Sequence, residues 1–417
     1  MNKSQPSRAG RMSCHAHLCT HDIFYRMSER MFSSRLHWDL RPNHLSQALE
    51  ARRRSGAEIL DLTTSNPTRA GLSYPIDEIA GALGDPRALI YEPSPAGLPA
   101  AREAVAGYYS LRGSAVEPSR IFLTASTSES YAWLFKLLAN PGDEVLAPRP
   151  SYPLFEFLAQ MESVRVTQYP LVYHDGWSID IDALAGALTE RTRAIVLVNP
   201  NNPTGSFVKG SELETLVVLS AERGIALISD EVFADYTIEP DTQRVASLAG
   251  VEGALTFCLS GLSKIAGLPQ MKLGWIVIGG LSVLRMAAAE RLELIADTYL
   301  SVGTPVQHAL PSLLAAGQNV QQQVSARVRR NLADLHAVAG SQPAVQVLKV
   351  EGGWNVILRV PRTHTEEEWC LELLDDAGVL VQPGFFYDFE SEAYLVLSLL
   401  TEPATFREGV RRLLRRL

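Results

Sequence analysis

The sequence predicts an α/β protein with a large domain, in which helices cover a mostly parallel sheet, and a smaller α+β domain. Strand-like and helix-like segments alternate through the middle of the chain, as they do in parallel sheets. Strand-like runs such as AIVLV and IALIS are apolar without a break, which is typical of strands covered on both faces. From about Thr304 a long helical segment precedes three strands and a closing helix, which indicates a second domain.

The length of the chain, 417 residues, is enough for two or three folding units. Hydrophobic residues make up 46% and charged residues 20%, a balance that excludes disorder over most of the chain. We expect a disordered tail over residues 1–30 and an arm joined to the small domain over 31–65. The large domain is expected over 66–303 and the small domain over 304–417.

Turn and capping residues mark where the first elements end. The helix HLSQALEARRRSG ends at Gly56, and EILDLTTSNPT is a short strand that runs into a turn. Pro99 opens the helix AAREAVAGYY. IFLTAST is a strand, and the helix SESYAWLFKLLANPGDE that follows it stops at Pro141 and Gly142.

Strands and helices alternate in the middle of the chain. The strands are EVLAPRP, AIVLVNPNNPTG, IALISDEVF, LTFCLSGLSK and KLGWIVIGG, with the helices SYPLFEFLAQM and SELETLVVLSAERG among them. The second domain has the helical region VQHALPSLLAAGQNVQQQVSARVRRNLADLHAVAG, the strands VQVLKV, GWNVILRV and YLVLSLL, and the helix TFREGVRRLLRRL. Polar clusters (STS, NPNNPTG, SDE and SGLSK) follow four of the strands. Such sheets bind ligands beyond the carboxyl ends of their strands, so these clusters indicate the site.

Charge and cysteine content exclude several classes of protein. The net charge is −8, whereas nucleic-acid binders usually show a basic excess. No uncharged apolar run reaches the roughly 18–20 residues of a membrane helix. Four irregularly spaced cysteines indicate a reducing compartment, so we expect a cytoplasmic protein. The tail crowds together Cys14, His15, His17, Cys19 and His21, but structural zinc sites favour paired spacings on a folded frame, and we expect no metal.

Three residues after strands carry the chemistry that the sequence indicates. Lys264 stands at a strand end among serine, glycine and apolar residues, where burial would lower its pKa and allow it to form a Schiff base. Asp230 follows a buried strand, either as an ordinary helix cap or as the carboxylate that keeps a cofactor's pyridinium nitrogen protonated. Asn202 lies in a turn-forming segment, and its amide is also suited to donate to a phenolic oxygen.

The STS cluster and a nearby tyrosine suit the rest of such a cofactor. Ser126, Thr127 and Ser128 stand between a strand and a helix, where hydroxyls and backbone N–H groups either cap the helix or cradle a phosphate. Tyr152 is either a core aromatic residue or a ring that stacks on a flat ligand.

Together these segments resemble the pyridoxal-phosphate (PLP) enzymes of fold type I, specifically the class I/II aminotransferases. The resemblance runs from about Trp38 to the C-terminus, and its most specific pieces are NPNNPTG, SDEVF and SGLSK. It implies PLP as cofactor, a large domain with a seven-stranded type of sheet, and a small domain that closes on the ligand.

The resemblance also implies a role for each matching residue. Lys264 forms the Schiff base and carries protons, Asp230 pairs with the pyridinium nitrogen, Asn202 donates to the phenolic oxygen, and Tyr152 stacks on the ring. The phosphate is held by Ser126, Thr127, Ser128, Ser263 and Lys272.

Two further segments match segments that, in the family, contact a neighbouring subunit or the substrate. Tyr91, in YEPSPAGLP, matches the tyrosine that reaches the phosphate of a neighbouring subunit, which implies a homodimer with shared active sites. Ser65 and Asn66, in LTTSNPT, match the loop that lies over the substrate.

Three positions depart from the family pattern. Phe233 replaces a tyrosine that donates to the phenolic oxygen, and loss of that donor changes the pKa of the Schiff base; Tyr236 is a candidate substitute. Lys272 replaces a phosphate-binding arginine, which keeps the charge but loses the two-pronged fork. Val396, in YLVLS, replaces the arginine that clamps the substrate α-carboxylate with two hydrogen bonds. Arg69 is the first candidate to replace it, although it is equally readable as a solvated loop charge.

The resemblance implies transamination between an amino acid or amine and a 2-oxo acid, in a biosynthetic process. The missing arginine keeps a second reaction open, another PLP-dependent Cα or Cβ reaction such as β-elimination or cyclisation. A regulatory protein without turnover is disfavoured because Lys264, Asp230 and Asn202 are all retained. A nicotinamide-dependent oxidoreductase would need a GxGxxG turn after an early strand, and the sequence has none.

Overall fold

An eight-stranded sheet forms the centre of the computed structural model, which describes residues 31–36, 38, 41–340 and 342–417. Residues Pro42–Leu417 form one compact unit, and the described residues before Pro42 belong to a separate unit that contains the short helical turn Ser34–Leu36. The predicted tail over residues 1–30, with its cysteines and histidines, lies outside the described residues.

The strands and helices are numbered along the chain. The strands are β1 (Leu60–Asp61), β2 (Ile121–Thr124), β3 (Glu144–Arg149), β4 (Arg165–Tyr173), β5 (Trp177–Ile179), β6 (Thr192–Val198), β7 (Ala226–Asp230), β8 (Thr256–Gly261), β9 (Gly274–Gly279), β10 (Gln346–Val347), β11 (Asn355–Arg359), β12 (Val379–Leu380), β13 (Gln382–Pro383) and β14 (Tyr394–Ser398). The helices are α1 (His44–Ser55), α2 (Ile76–Leu83), α3 (Pro99–Ser110), α4 (Thr127–Leu138), α5 (Leu154–Met161), α6 (Ile181–Ala187), α7 (Gly210–Arg223), α8 (Leu262–Ile265), α9 (Ser282–Tyr299), α10 (Thr304–Ala339), α11 (Glu366–Ala377) and α12 (Pro403–Leu414).

The large sheet has the strand order β2-β9-β8-β7-β6-β3-β4-β5. Strands β8, β7, β6, β3 and β4 run parallel to their neighbours, whereas β9 and β5 pair in the antiparallel sense. The prediction of a mostly parallel sheet is therefore confirmed, with a short eighth strand, β5, at one edge. The sequence analysis did not identify β4, α9 or α11.

The central strands are buried on both faces, as their continuous apolar sequences predict. Ile195, Val196, Leu227 and Ile228 are each at most 1% exposed, and helices pack on either side of the sheet. Helix α7 ends at Gly224, whose left-handed φ of 63° is a conformation that glycine adopts without steric cost.

A second, antiparallel sheet with the order β10-β11-β14-β13 forms the core of the smaller α+β domain. The strand β1 pairs with β12, and α1 packs against α11, so this N-terminal segment joins the small domain. The 36-residue helix α10 contacts α2 and α3 as well as α12. Among the described residues, no helix is both long enough and apolar enough to span a membrane.

Candidate active site

The ends of three adjacent parallel strands bring together the residues that the sequence analysis selected. Strand β6 lies beside β7, and β7 lies beside β8. Asp230 is the last residue of β7 and pairs in register with Val198 of β6 and Leu259 of β8. Lys264 follows the end of β8 and lies in the single-turn helix α8. The polar turn after β6 contains Asn202.

The Asp230 carboxylate is held on both of its oxygens. Its Oδ1 accepts the backbone N–H of Val232 at 3.2 Å, and its Oδ2 accepts the hydroxyl of Tyr131 at 3.2 Å. Removal from water raises the pKa of Asp230 from 3.8 to about 6, although both hydrogen bonds and the charge of Lys264 oppose this rise. Asp230 therefore makes the turn contact of an ordinary cap and also presents a carboxylate whose negative charge is poorly solvated.

The Lys264 amine lies in an aromatic corner. Its Nζ is 5.5 Å from the ring centroid of Phe233 and 5.0 Å from that of Trp354. Burial lowers the pKa of Lys264 from 10.5 to about 8, while the charge of Asp230 acts in the opposite direction. A substantial fraction of this amine is consequently neutral, and so nucleophilic, at a slightly alkaline pH.

The hydroxyl of Tyr236 does not replace the donor missing at Phe233. It donates to the backbone carbonyl of Lys264 at 2.5 Å, and the Tyr236 ring tilts against Trp354. The Phe233 ring meets the edge of Trp354 with centroids 5.0 Å apart. Tyr236 therefore supports the backbone beneath Lys264 and is committed to that contact.

Asn202 is oriented by a residue that the sequence analysis missed. The Nδ2 of Asn355 donates to Oδ1 of Asn202 at 2.6 Å. Since the side-chain carbonyl of Asn202 is engaged, its own Nδ2 is left to donate to a ligand. The signal available in the sequence was the single amide side chain in the mostly apolar segment GWNVILRV.

The start of α4, the end of β8 and the start of β9 form a narrow corner. The Oγ of Ser126 caps α4 by accepting the N–H of Glu129 at 3.3 Å. A Cβ on Gly274 would lie 3.0 Å from the carbonyl oxygen of Ser260 and 3.3 Å from the carbonyl carbon of Ser126. The Oγ of Ser260 is buried without a hydrogen-bond partner among the described residues. A helix N-terminus beside an unpaired hydroxyl suits an anion.

These features fit PLP. The poorly solvated acid Asp230 suits the pyridine nitrogen, the Nδ2 of Asn202 suits the phenolic oxygen, the Lys264 amine suits the carbonyl carbon, and the corner at Ser126 suits the phosphate. All four groups lie at one edge of one sheet, or on the elements that continue from it.

Several predicted site residues lie on the surface rather than in this cluster. Tyr152 is 48% exposed and Tyr91 is 80% exposed. Lys272, Ser65, Asn66 and Arg69 are also exposed, and Ser263 is partly buried. The Oδ1 of Asn66 accepts the N–H and hydroxyl of Thr68, so its carbonyl serves the local turn.

Val396 is packed core and leaves no open space for a substrate carboxylate. It is 1% exposed and pairs with Ile357 of β11 and Gln382 of β13. Two residues further along β14, the Oγ of Ser398 donates to the carbonyl of Thr64 at 2.5 Å and anchors the predicted substrate loop. Val396 packs with Ile357 and Tyr387 in the apolar cluster that also contains the large domain's core, so apolar side chains fill the position of the missing arginine.

Comparisons with known proteins find similarity to aminotransferases over most of the chain. The family model described as aminotransferase class I and II matches residues 57–413. The glutamate-pyruvate aminotransferase AlaA of Escherichia coli (strain K12) is 27% identical over 344 residues, which cover 80% of this chain and 84% of that protein. An alanine aminotransferase of Mycobacterium tuberculosis (strain ATCC 25618 / H37Rv) is 28% identical over 370 residues, covering 86% of this chain and 85% of that protein. The solved structure of an alanine aminotransferase from Pyrococcus furiosus superposes with a TM-score of 0.83 at 22% identity, covering 92% of this chain and 99% of the other.

Proposed function

The chain belongs to the class I and II aminotransferase family, and from this premise we propose that it exchanges amino groups between small α-amino acids and 2-oxo acids at the site around Lys264. It is a PLP-dependent aminotransferase. Glutamate, alanine and pyruvate are the first substrates to test, because the relatives named above are glutamate-pyruvate and alanine aminotransferases. The observation that carries the proposal is the convergence of Lys264, Asp230 and Asn202 at one sheet edge.

The experiment follows each half-reaction separately. PLP-loaded protein is mixed with L-glutamate or L-alanine, and the conversion of the cofactor to pyridoxamine phosphate is followed by absorbance. We expect this conversion, with release of the matching 2-oxo acid and reversal by pyruvate. Ketone or elimination products formed without pyridoxamine phosphate would replace transamination with the alternative Cα or Cβ chemistry.

Each residue of the cluster has a proposed task. PLP supplies an electron sink next to the substrate Cα. The Lys264 amine holds the cofactor through its carbonyl carbon and later moves the proton of the substrate Cα. The Asp230 carboxylate holds a proton at the pyridine nitrogen, and the Nδ2 of Asn202 donates to the phenolic oxygen. Tyr152 covers one face of the ring from its half-exposed position.

The phosphate is proposed to bind at the N-terminus of α4. The contributing residues are Ser126, Thr127, Ser128, Ser263 and Lys272. Backbone N–H groups and the positive end of the helix dipole favour an anion there. Lys272 adds a charge without the planar fork of an arginine.

Arg69 is proposed to bind the substrate α-carboxylate, together with Ser65 and Asn66 of the same loop. The Arg69 side chain is exposed next to a loop that is tied to β14. Because a charged hydrogen bond is lost, Arg69→Ala should raise KM for glutamate by about tenfold, with a smaller change in kcat. Steady-state kinetics measure both constants, with Arg53→Ala on the exposed face of α1 as the control. An unchanged KM would show that Arg69 is a solvated surface charge that does not bind the substrate carboxylate.

A homodimer with shared active sites is supported by exposed apolar side chains around Tyr91. Leu89 is 89% exposed and Ile90 is 65% exposed. Tyr91 also lines a cavity together with Leu300. Exposed apolar groups in such number are typical of a protein interface.

Tyr91→Phe tests whether the sites are shared. Sedimentation equilibrium should give twice the chain mass for both wild type and variant, since the ring remains. PLP affinity should fall by about tenfold because a hydrogen bond to a charged group is lost. Tyr299→Phe is the control, because Tyr299 is also half-exposed and stacks on Trp133. A monomeric mass, or unchanged PLP affinity, would contradict shared sites.

We further propose that the enzyme works in the cytoplasm in a biosynthetic process. Cys258 and Cys370 are buried free thiols, a state that reducing compartments favour. The domain division at residues 65 and 303 is part of the same proposal.

A further inference from the structure

Tyr131 lies behind Asp230 and has no role in the chemistry described so far. It is 2% exposed on the inner face of α4, and its hydroxyl donates to Oδ2 of Asp230 at 3.2 Å. The ring is fixed by Phe155, with centroids 5.3 Å apart, and by Phe135, at 5.9 Å. These contacts restrict the direction in which the hydroxyl points.

The hydroxyl acts as a permanent donor. Burial, the charge of Asp230 and the hydrogen bond to it raise the pKa of Tyr131 well above 10, so the proton stays on the phenol throughout the working range of pH. An ionised carboxylate only accepts hydrogen bonds, and a donor to it stabilises the charged form. In the described part of the chain, the other groups that act on the pKa of Asp230 are the N–H of Val232 and the amine of Lys264.

Helix α4 connects this contact to the phosphate corner. Tyr131 follows Thr127 by four residues, so the two lie on the same face of the helix. Thr127 is the first residue of α4, directly after the cap Ser126. One rigid helix therefore carries both the proposed phosphate cradle and the donor to Asp230.

We propose that Tyr131 is a positioning residue, whose hydroxyl fixes the plane of the Asp230 carboxylate and keeps it ionised against the pyridine nitrogen of PLP. The inference deepens the proposed function and rests on the role of Asp230 given there. Through this contact, Tyr131 sets how firmly the ring nitrogen keeps its proton. That proton's positive charge in turn repels the proton on the nitrogen of the cofactor-bound Lys264.

The test compares Tyr131→Phe with Tyr169→Phe in the PLP-loaded protein. Tyr169 is 1% exposed and donates to the backbone carbonyl of Val196 at 2.8 Å, so its variant loses an equally buried hydroxyl that is bonded to the backbone and not to Asp230. For Tyr131→Phe, the pH at which the visible cofactor band changes should rise by about half a unit or more. The dissociation constant of PLP should rise by about tenfold. Tyr169→Phe should change the thermal midpoint alone.

Asp230→Asn separates failure of this inference from failure of its premise. Asp230→Asn by itself should raise the same spectroscopic pKa, and adding Tyr131→Phe to it should then have little further effect. If Asp230→Asn moves the band while Tyr131→Phe behaves like Tyr169→Phe, the role of Tyr131 is overturned and that of Asp230 stands. If Asp230→Asn leaves the band unchanged, the premise fails and the inference fails with it.

Discussion

Replacing Lys264 with alanine should lower the rate of transamination by about 10⁴-fold or more and abolish the visible band of the lysine-bound cofactor. The variant loses both the amine that holds the cofactor and the base that moves the Cα proton. The rings of Phe233 and Trp354 that surround the Lys264 amine cannot replace it as a nucleophile or a base. Rates with glutamate and pyruvate, together with the absorption spectrum, measure both effects.

Lys349→Ala is the matched control for Lys264→Ala. Lys349 is exposed in the segment between β10 and β11, so its loss should change neither rate nor spectrum. The Lys264→Ala protein should still fold, because the backbone carbonyl of Lys264 keeps its bond from Tyr236. A Lys264→Ala protein with a normal band and a normal rate would remove Lys264 from the mechanism.

Asp230→Asn should lower the rate of transamination by about 10²–10³-fold, since the variant loses the charge that faces the ring nitrogen. The same change should stabilise the cofactor-free protein at neutral pH. Burial raises the pKa of Asp230 to about 6 in the folded state, so the folded protein binds this proton more tightly than the unfolded chain does. The stability that comes from this group is fully present below pH 4 and is lost as the pH rises through about 6.

Urea unfolding of the cofactor-free proteins at pH 5 and pH 8 measures this dependence of stability on pH. The free energy of unfolding of Asp230→Asn, relative to wild type, should be higher at pH 8 than at pH 5 by about 1–3 kcal/mol. Asp180→Asn, at the start of α6, is a control, because the Asp180 carboxylate is bonded to the N–H of Ala183 as an ordinary helix cap. A difference that does not depend on pH would show that Asp230 is solvated like a surface acid.

The sequence predicted the central cluster because its residues follow strands that become neighbours. Continuous apolar runs identified β6, β7 and β8 as buried parallel strands, so the polar residues after them had to meet at one edge. Asp230, Asn202 and Lys264 lie there. The same reasoning does not extend to residues whose contacts depend on how separate elements pack together.

Asn355 and Tyr131 illustrate contacts of that kind. Asn355 reaches Asn202 across 153 positions of sequence and from the other domain. In the sequence, Tyr131 looks like one more apolar residue on a buried helix face, and its hydroxyl gains a partner only when α4 packs on the sheet. Likewise, the sequence showed that an arginine is absent at Val396, but only the register of β14 between β11 and β13 shows that the position is closed.

The most direct measurement reduces the PLP-loaded protein with borohydride and locates the modified lysine by peptide mass mapping. Reduction makes the bond between cofactor and lysine permanent, so the label marks the residue that carries PLP. We expect the label on Lys264 alone, with loss of label when glutamate is added before reduction. A label on Lys272 or on any other lysine would contradict the site proposed at the ends of β6, β7 and β8.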